Sequence, residues 1–210
     1  MIETLVEAYP KMLENPSRRN PFRTLIGCIL SHRTRDNNSE KAAEKLFSRA
    51  STPSDIMSLS QEELHDLIRC SGFYRQKAKY IRETCRELMD RHDGIVPNEK
   101  ETLLTLPGVG PKTADIVLSH CFDEEAIPVD VHVSRVSRRL GLAPMEASPE
   151  EVQSSLHRLI PRGKYLFYDR SIVKLGKEYC RKSNPRCVKC PLRDYCDYRL
   201  NLAQGYDALS

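Results

Sequence analysis

The stretch "LPGVGPKTAD", from Leu106 to Asp115, sets two prolines and two glycines around a single valine. It follows the helical pattern "ETLLT", and a helix in front of it would end at Pro107. Glycine permits the positive φ angles of a tight turn, and Pro111 suits the first turn of the next helix. The stretch therefore predicts a helix, a hairpin and a second helix.

The turn itself, formed by Gly108, Val109 and Gly110, is a candidate phosphate-binding site. Glycines let backbone N–H groups approach a phosphate closely, and the N-terminus of the following helix adds a favourable dipole. A plain connection between two helices is the alternative, but such a connection needs only one glycine at the end of the first helix. We therefore favour phosphate binding.

Lys112 stands at the start of the second helix, where the helix dipole disfavours a cation. The dipole alone lowers the pKa of a lysine by less than about one unit, so a lysine that acts as a nucleophile must also be desolvated. We therefore expect a nucleophilic Lys112 to line a cleft. A surface lysine that pairs with a phosphate is the alternative that this stretch leaves open.

A second candidate, Asp130, stands in "VDVHVSR", directly before a helical pattern with an apolar line of Val133, Val136 and Leu140. In that position a carboxylate caps the N-terminus of the helix. A carboxylate held there is also suited to stabilise a positively charged sugar in a transition state. The two roles are compatible.

Beyond these stretches, apolar residues recur at spacings of three and four along nearly the whole chain, which predicts an all-α protein. Ser60 with Glu63 forms a capping-box pattern, and Ser148 followed by Pro149 marks another helix start. The predicted helices span residues 1–14, 21–32, 37–50, 61–70, 74–92, 99–106, 111–121, 131–141, 149–160 and 166–180.

The composition of the 210 residues, 40% hydrophobic and 30% charged, is that of a globular protein. No apolar run approaches the roughly 18–20 residues of a membrane span. The N-terminal pattern is acidic and amphipathic, unlike a signal peptide. We therefore expect a cytosolic or nuclear protein with no membrane partner.

The net charge of +4 is unevenly distributed along the chain. Residues 131–210 hold 15 Lys and Arg against 8 Asp and Glu, whereas the residues before them carry a net charge of −3. A basic C-terminal third indicates a polyanionic partner, with ordinary surface scatter as the alternative.

The eight cysteines fall into two groups. Four are scattered in apolar, helical contexts typical of buried free thiols: Cys28, Cys70, Cys85 and Cys121. The other four, Cys180, Cys187, Cys190 and Cys196, crowd into "CRKSNPRCVKCPLRDYC". Clustered cysteines in a chain without an export signal are more often metal ligands than disulfides, and zinc and an iron–sulfur cluster both accept four thiolates. The interleaved basic residues, Arg186 and Lys189 among them, offset thiolate charge and are candidates for contacts with DNA phosphates.

Taken together, "LPGVGPKTAD", "VDVHVSR" and the C-x6-C-x2-C-x5-C spacing resemble the endonuclease III family of DNA repair glycosylases, in the helix-hairpin-helix superfamily. The resemblance extends from Pro21 to Tyr198. It implies an all-α, two-lobed fold with the active cleft between a six-helix barrel of residues 20–130 and a second helical lobe. The second lobe comprises residues 1–19 and 131–210, with a [4Fe–4S] cluster loop at residues 180–196.

The resemblance also implies the role of each residue. Lys112 matches the family's catalytic lysine, Asp130 its catalytic aspartate, and the four clustered cysteines its cluster ligands. The implied partner of this monomer is double-stranded DNA with damaged bases or abasic sites, on the nucleoid in a prokaryote. Lys112 would attack C1′ of a flipped nucleotide, and the resulting imine would allow β-elimination. Oxidised pyrimidines such as thymine glycol are the expected substrates, with mismatch, uracil-type or oxidised purine substrates as alternatives.

The chain departs from the family pattern at two points. Where members carry a glutamine that fills the gap left by the flipped base, this chain has "LSHRTRD", with His32 and Arg33 as candidates. A carboxylate that often precedes the hairpin is replaced by Leu104. Adenine DNA glycosylases share the cysteine spacing, but they lack the lysine and need a glutamate near the position of Cys28. The alternative from another class is a non-catalytic DNA-binding helix-hairpin-helix protein with a structural zinc site.

Overall fold

The computed structural model of the protein describes residues 1–14 and 19–203. The chain divides into two compact units, Met1–Ser17 with Glu125–Ser210, and Arg18–Glu124. Every regular element in the described residues is a helix, which confirms the prediction of an all-α protein. In that part of the chain no helix has the length and apolar character needed to cross a membrane.

The described residues form twelve α-helices and three short 3-10 turns. The α-helices are α1 (Ile2–Ala8), α2 (Pro21–Ser31), α3 (Asp36–Arg49), α4 (Pro53–Ser58), α5 (Gln61–Ile68), α6 (Tyr74–Arg91), α7 (Lys100–Thr105), α8 (Pro111–Cys121), α9 (Val131–Arg139), α10 (Pro149–Leu159), α11 (Tyr165–Glu178) and α12 (Asp197–Ala203). The 3-10 turns are Pro10–Met12, Cys187–Lys189 and Arg193–Tyr195.

Side-chain caps explain where several helices begin. Asn20 accepts a hydrogen bond from the backbone N–H of Arg23 at 2.9 Å, and Pro21 is the first residue of α2. Ser60 and Glu63 form the capping box predicted for α5, and α10 begins with a box of the same kind. Local sequence therefore determines these three starts.

The N-terminal helix is shorter than predicted. Helix α1 ends at Ala8, and Pro10–Met12 form a separate 3-10 turn. Proline lacks the N–H of a helical hydrogen bond and pushes the residue before it out of the helical backbone region. Tyr9 accordingly has a φ of −135° and a ψ of 55°. The prediction of one continuous helix over residues 1–14 is therefore wrong at Pro10.

Helix α4 is absent from the predicted helices, although its start carries a clear signal. Thr52 and Asp55 form a capping box around Pro53. The helix is only 6 residues long, fewer than two turns, so it cannot display a repeat of three and four residues.

The core of the unit Arg18–Glu124 is built from fully buried aliphatic side chains of α2, α3, α5 and α6. These include Leu25, Ile26, Ile29, Leu30, Leu46, Leu64, Ile68, Ile81 and Leu88. Helix α2 contributes four of them and also contacts α8. The buried face of α2 therefore fixes its end beside the second helix of the hairpin.

The core of the other unit forms where α9 packs against α11. Val133, Val136 and Leu140, the apolar line predicted for α9, are all buried, at 7% exposure or less. Tyr168 of α11 is fully buried, and its hydroxyl lies 2.9 Å from Ser137 Oγ of α9. This hydrogen bond satisfies two polar groups that would otherwise be buried without partners.

All eight cysteines are free. Of the four scattered ones, Cys85 and Cys121 are buried, as expected, whereas Cys28 and Cys70 are only partly buried. The expectation of buried thiols is therefore wrong for the latter two.

Candidate active site

The hairpin joins α7 to α8 and confirms the predicted helix, hairpin and helix. The N–H of Val109 donates to the Leu106 carbonyl at 3.1 Å, and Gly110 is the N-cap of α8. Thr84 Oγ1, on α6, donates to the Pro107 carbonyl at 2.8 Å. Helix α6 therefore holds the hairpin from one side.

The two hairpin glycines, Gly108 and Gly110, differ in backbone conformation and in the space around them. Gly108 has a φ of +76°, and a Cβ there would lie 3.0 Å from the ring of Tyr80. Gly110 has an extended backbone with a φ of −110°, and a Cβ there would meet no heavy atom within 4 Å. The fold therefore requires glycine at Gly108, whereas Gly110 leaves space open at the N-terminus of α8.

Lys112 is the second residue of α8, and its side chain is exposed. The next three residues, Thr113, Ala114 and Asp115, are buried. The core therefore holds the opposite side of this helical turn. In the chain without DNA the Lys112 side chain is therefore open to solvent, and its place in a cleft stays a prediction.

His32 connects the end of α2 to the start of α8. Its Nε2 lies 3.1 Å from Oγ1 of Thr113, the residue after Lys112. Burial, and then the charges of Lys112 and Lys77, lower the pKa of His32. His32 is therefore held as a neutral imidazole beside the candidate nucleophile.

The charge of Lys112 also acts on Cys28, which lies one turn earlier on α2. Burial raises the pKa of the Cys28 thiol to about 11, and the positive charge of Lys112 opposes that shift. Cys28 is therefore held as a neutral thiol.

The turn after α2 lies against the turn before α6. Arg33 is exposed and has a left-handed backbone with a φ of 49°. A Cβ on Gly72 would lie 3.2 Å from the Arg33 carbonyl oxygen. Phe73, which follows, has a φ of 58° and is 66% exposed. Phe73 is not among the predicted site residues. The sequence does offer a signal for it, because an aromatic residue directly after a serine–glycine pair is typical of a turn that can expose a large side chain.

An ion pair links the two helices of the hairpin. Lys100 Nζ, at the first residue of α7, lies 2.7 Å from Oδ1 of Asp115 on α8. Asp115 is 2% exposed, so the pair lies largely away from water. Asp115 belongs to the stretch that predicts the fold, but its partner could not be identified from spacing.

Asp130 is the N-cap of α9, as its position in the sequence indicates. Its Oδ1 accepts hydrogen bonds from the backbone N–H groups of His132 and Val133, both at 2.8 Å. Asp130 belongs to the unit that contains Glu125–Ser210, whereas Lys112 belongs to Arg18–Glu124.

Arg135 connects helix α9 to the cysteine loop. Its Nη2 lies 3.0 Å from His132 Nδ1, and its Nε donates to the Cys180 carbonyl at 2.9 Å. Burial lowers the pKa of His132, an effect that the Asp130 charge opposes and the Arg135 charge reinforces. The contacts therefore run from the cap of α9 to the first clustered cysteine.

The four clustered cysteines line one cavity together with Arg139, Tyr179, Arg193, Tyr198 and Arg199. Arg139 Nη1 donates to Cys180 Sγ at 3.4 Å, and Cys196 Sγ donates to the Arg139 carbonyl at 3.3 Å. Among residues 1–14 and 19–203, no three His, Cys, Asp or Glu side chains are arranged as a metal site. The shared cavity, four soft sulfur donors and surrounding arginines nevertheless suit a four-thiolate centre.

Arg186 and Lys189, the predicted phosphate contacts of this loop, are both exposed. Between them, Val188 is 76% exposed. The loop therefore presents a basic surface with an apolar side chain at its centre.

Comparison with known proteins places these features in a family. Residues 26–162 match the HhH-GPD superfamily base excision DNA repair protein family. The endonuclease III of Thermotoga maritima is 42% identical over 98% of this chain and 96% of its own length.

Solved structures show the same likeness. A trapped endonuclease III–DNA covalent intermediate, an estranged-adenine complex, matches with a TM-score of 0.88 at 35% identity, over 96% of this chain and 95% of that chain. A thermostable thymine-DNA glycosylase matches with a TM-score of 0.81 at 24% identity, over 95% of both chains, a likeness of fold alone.

These matches define a helix-hairpin-helix DNA glycosylase fold. The chain belongs to the HhH-GPD superfamily of base excision DNA repair proteins and, within it, to the endonuclease III family. The resemblance drawn from the three sequence motifs is confirmed at the level of the family.

Proposed function

We propose that the protein acts in base excision DNA repair as a bifunctional DNA glycosylase and abasic-site lyase. It removes an oxidised pyrimidine such as thymine glycol and nicks the abasic site by β-elimination through a lysine Schiff base. The observation that carries the proposal is the position of Lys112, exposed on the first turn of α8 directly after the glycine hairpin. A lysine there is unfavourable for the helix but well placed to reach a sugar whose phosphate lies at the hairpin.

The hairpin grips the backbone of the damaged strand. Backbone N–H groups of Gly108 and Gly110 and of the first turn of α8 donate to a phosphate, whereas the Val109 N–H closes the turn onto the Leu106 carbonyl. The space beside Gly110, where a Cβ would meet no heavy atom within 4 Å, allows the phosphate to approach closely.

Lys112 then acts on the flipped nucleotide. The bound strand covers the exposed ammonium and supplies the desolvation that the protein alone does not. The neutral amine attacks C1′ as the damaged base leaves with its bonding electrons, and ring opening gives an imine between Nζ and C1′. The imine acidifies the C2′ proton, whose loss expels the 3′ phosphate and nicks the strand.

Asp130 stabilises the sugar during the first step. Two backbone N–H groups hold its Oδ1, so the carboxylate is oriented before the substrate binds. In this role it accepts the proton that Lys112 loses or stabilises the positive charge that develops on the sugar.

The turn after α2 fills the gap that the flipped base leaves. Arg33 is exposed and available to the orphaned base, whereas His32 is engaged with Thr113. Arg33 is therefore the better of the two sequence candidates. Phe73, exposed beside the Arg33 turn, is suited to wedge between stacked bases.

The cysteine loop holds a [4Fe–4S] cluster through Cys180, Cys187, Cys190 and Cys196. A cluster bound there would crosslink a loop with few apolar residues and would so hold Arg186 and Lys189 in place for DNA phosphates. Brown colour, with iron and sulfide found by chemical analysis, supports this assignment, whereas stoichiometric zinc contradicts it.

The proposed division of labour follows the predicted lobes. Residues 20–130 carry the hairpin and the nucleophile, and residues 1–19 with 131–210 carry the cluster. The protein works as a monomer on double-stranded DNA, on the nucleoid in a prokaryotic cell and in the nucleus otherwise.

Borohydride trapping tests the proposal directly. The protein is expected to form a covalent complex with duplex DNA that contains thymine glycol or an abasic site. Lys112→Ala should abolish trapping but still bind the duplex, while Lys79→Ala, a change of an exposed lysine on α6, should trap normally. Unaltered trapping by Lys112→Ala refutes the assignment of the nucleophile.

A panel of lesion duplexes tests the substrate class. Excision of oxidised pyrimidines ahead of uracil, mismatched thymine and oxidised purines supports the proposal, and the reverse order contradicts it. DNA affinity should also fall steeply with salt concentration, because phosphate contacts release counterions.

A further inference from the structure

Lys77 is a buried lysine near the candidate active site that the proposed chemistry does not use. It lies in the first turn of α6 and is 4% exposed. Its Nζ donates to the Leu30 carbonyl at 2.7 Å, to Thr34 Oγ1 at 2.7 Å and to Ser71 Oγ at 2.8 Å. Three short hydrogen bonds use all three protons of an ammonium group.

The acceptors around Lys77 are neutral oxygens. Burial lowers the pKa of Lys77 to about 8, because removing the charged ammonium from water costs free energy. Part of that cost is offset by the Leu30 carbonyl, at the C-terminal end of α2, where the helix dipole favours a cation. A lysine placed for stability alone would more often point into water.

The three acceptors come from two different turns. Leu30 and Thr34 bracket the turn after α2, and Ser71 lies in the turn before α6. Ser71 Oγ also donates to the Leu30 carbonyl at 2.9 Å, and Thr34 Oγ1 donates to the His32 carbonyl at 3.2 Å. One ammonium therefore ties both turns together.

Each of the two turns contains a strained residue that is also exposed. Arg33 has a φ of 49° and Phe73 a φ of 58°, left-handed values that cost free energy for residues other than glycine. Such conformations persist only where surrounding contacts hold them. Lys77 bonds a residue close to each of them: Thr34, which follows Arg33, and Ser71, two residues before Phe73.

We propose that Lys77 is a positioning residue for base flipping, holding Arg33 and Phe73 in the orientation in which they enter the DNA duplex. This inference rests on the proposed function, because it assigns Arg33 and Phe73 to the space between bases. Lys77 itself does not touch the DNA. It acts through the two turns that it joins.

The positioning role of Lys77 predicts different effects on base excision from a duplex and on cleavage of an abasic site. Excision of a damaged base from a duplex requires the nucleotide to leave the stack, so it depends on Arg33 and Phe73. Cleavage of an abasic site in single-stranded DNA requires neither unstacking nor unpairing, so it depends on Lys112 and the hairpin but not on Arg33 and Phe73. Loss of Lys77 should therefore affect the first activity and spare the second.

The test compares Lys77→Met with wild type and with Lys79→Met. Met keeps the apolar stem of Lys77 without its donors, and Lys79 lies exposed two residues on. Single-turnover rates are measured for thymine glycol excision from a duplex and for cleavage of a single-stranded abasic oligonucleotide. A 2-aminopurine beside the lesion reports base extrusion by its fluorescence.

Lys77→Met is expected to slow excision about tenfold or more and to weaken the fluorescence change, with abasic cleavage within about twofold of wild type. Lys79→Met should match wild type in both activities. Equal loss of both activities in Lys77→Met overturns the positioning role, and so does no loss in either.

Thr34→Val keeps the test decisive if Lys77→Met fails to fold. Thr34 is only partly buried, and valine removes one acceptor with little change of shape. It should show the same split between excision and abasic cleavage, to a smaller extent, and the absence of any split overturns the role. A wild-type protein that cannot cleave the abasic strand contradicts the proposed function instead.

Discussion

His32 Nε2 lies 3.1 Å from Thr113 Oγ1, a contact between the C-cap residue of α2 and the residue that follows Lys112. Thr113 is buried, so this contact has little freedom to shift. The end of α2 and the helix that carries the proposed nucleophile are therefore connected through one hydrogen bond.

The protonation of His32 should make stability depend on pH. Its pKa is lowered by burial and by the nearby lysines, so below about pH 6.5 the unfolded chain binds a proton that the folded chain does not. The free energy of unfolding should therefore fall as the pH falls below about 6.5. Urea denaturation at about pH 7.5 and about pH 5.5 measures this loss.

Two variants separate His32 from the other histidines. His32→Gln should show a smaller loss of stability with acid than wild type, because its share of the proton uptake is gone. His157→Gln, a change of an exposed histidine on α10, should retain the full loss. An unchanged pH dependence in His32→Gln would contradict the shift assigned to this residue.

Alanine at each hairpin glycine should separate folding from binding. Gly108→Ala meets a positive φ and the Tyr80 ring, and should lower the free energy of unfolding by about 1–3 kcal/mol. Gly110→Ala meets neither obstacle and should fold normally. Its methyl group should obstruct the phosphate and raise the Kd for abasic DNA about fivefold, the equivalent of about 1 kcal/mol.

Thermal denaturation and fluorescence anisotropy measure the two effects. Normal DNA affinity in Gly110→Ala would show that no phosphate approaches this part of the backbone.

Removal of the Lys100 ammonium should destabilise the hairpin. Lys100→Met leaves the Asp115 carboxylate buried without this partner, at a cost of about 1–3 kcal/mol. The cost should stay below the about 3–5 kcal/mol of a fully buried pair, because the Lys100 side chain is 36% exposed.

A double variant tests whether the charge is the cause. Adding Asp115→Asn to Lys100→Met removes the buried negative charge that has lost Lys100 and should recover part of the lost stability in urea denaturation. If the two changes are simply additive, the ion pair does not stabilise the hairpin.

Arg139 should control how well the cysteine loop retains the proposed cluster. Besides its bond to Cys180 Sγ, its Nη1 donates to the Arg181 carbonyl at 2.7 Å and its Nη2 to the Lys182 carbonyl at 3.2 Å. Arg139→Gln loses these contacts and should lower the iron content per chain and speed the decay of visible absorbance in air.

Arg193→Gln is the matched control. Arg193 also lines the cavity, but its guanidinium donates to the Val188 carbonyl and pairs with Asp194, both on exposed residues, and no bond from its side chain to a cysteine is found in the described chain. Equal cluster retention in the two variants would contradict the role assigned to Arg139.

Local sequence patterns were sufficient to predict much of the fold. Spacings of three and four predicted eleven-residue α8 and most other helices, because burial of one helical face leaves that period in the sequence. Capping pairs such as Ser60 with Glu63 lie three residues apart, so their hydrogen bonds can be inferred without a tertiary structure. Periodicity does not detect very short helices such as α4, because they contain fewer than two turns.

Contacts between distant residues could not be predicted in the same way. Lys77 and Leu30 are 47 residues apart, and His32 and Thr113 are 81 apart. No local pattern links such pairs, because their proximity depends on how α2, α6 and α8 pack.

By itself, the sequence determined the helical class, the hairpin with its lysine, the cap at Asp130 and the four-cysteine spacing, since each is a property of neighbouring residues. Only the tertiary structure decided that Gly108 faces Tyr80, that Lys100 pairs with Asp115 and that one buried ammonium joins two strained turns. These contacts form between helices, and a hydrogen bond or ion pair requires atoms within a few ångströms, which only packing of the core provides.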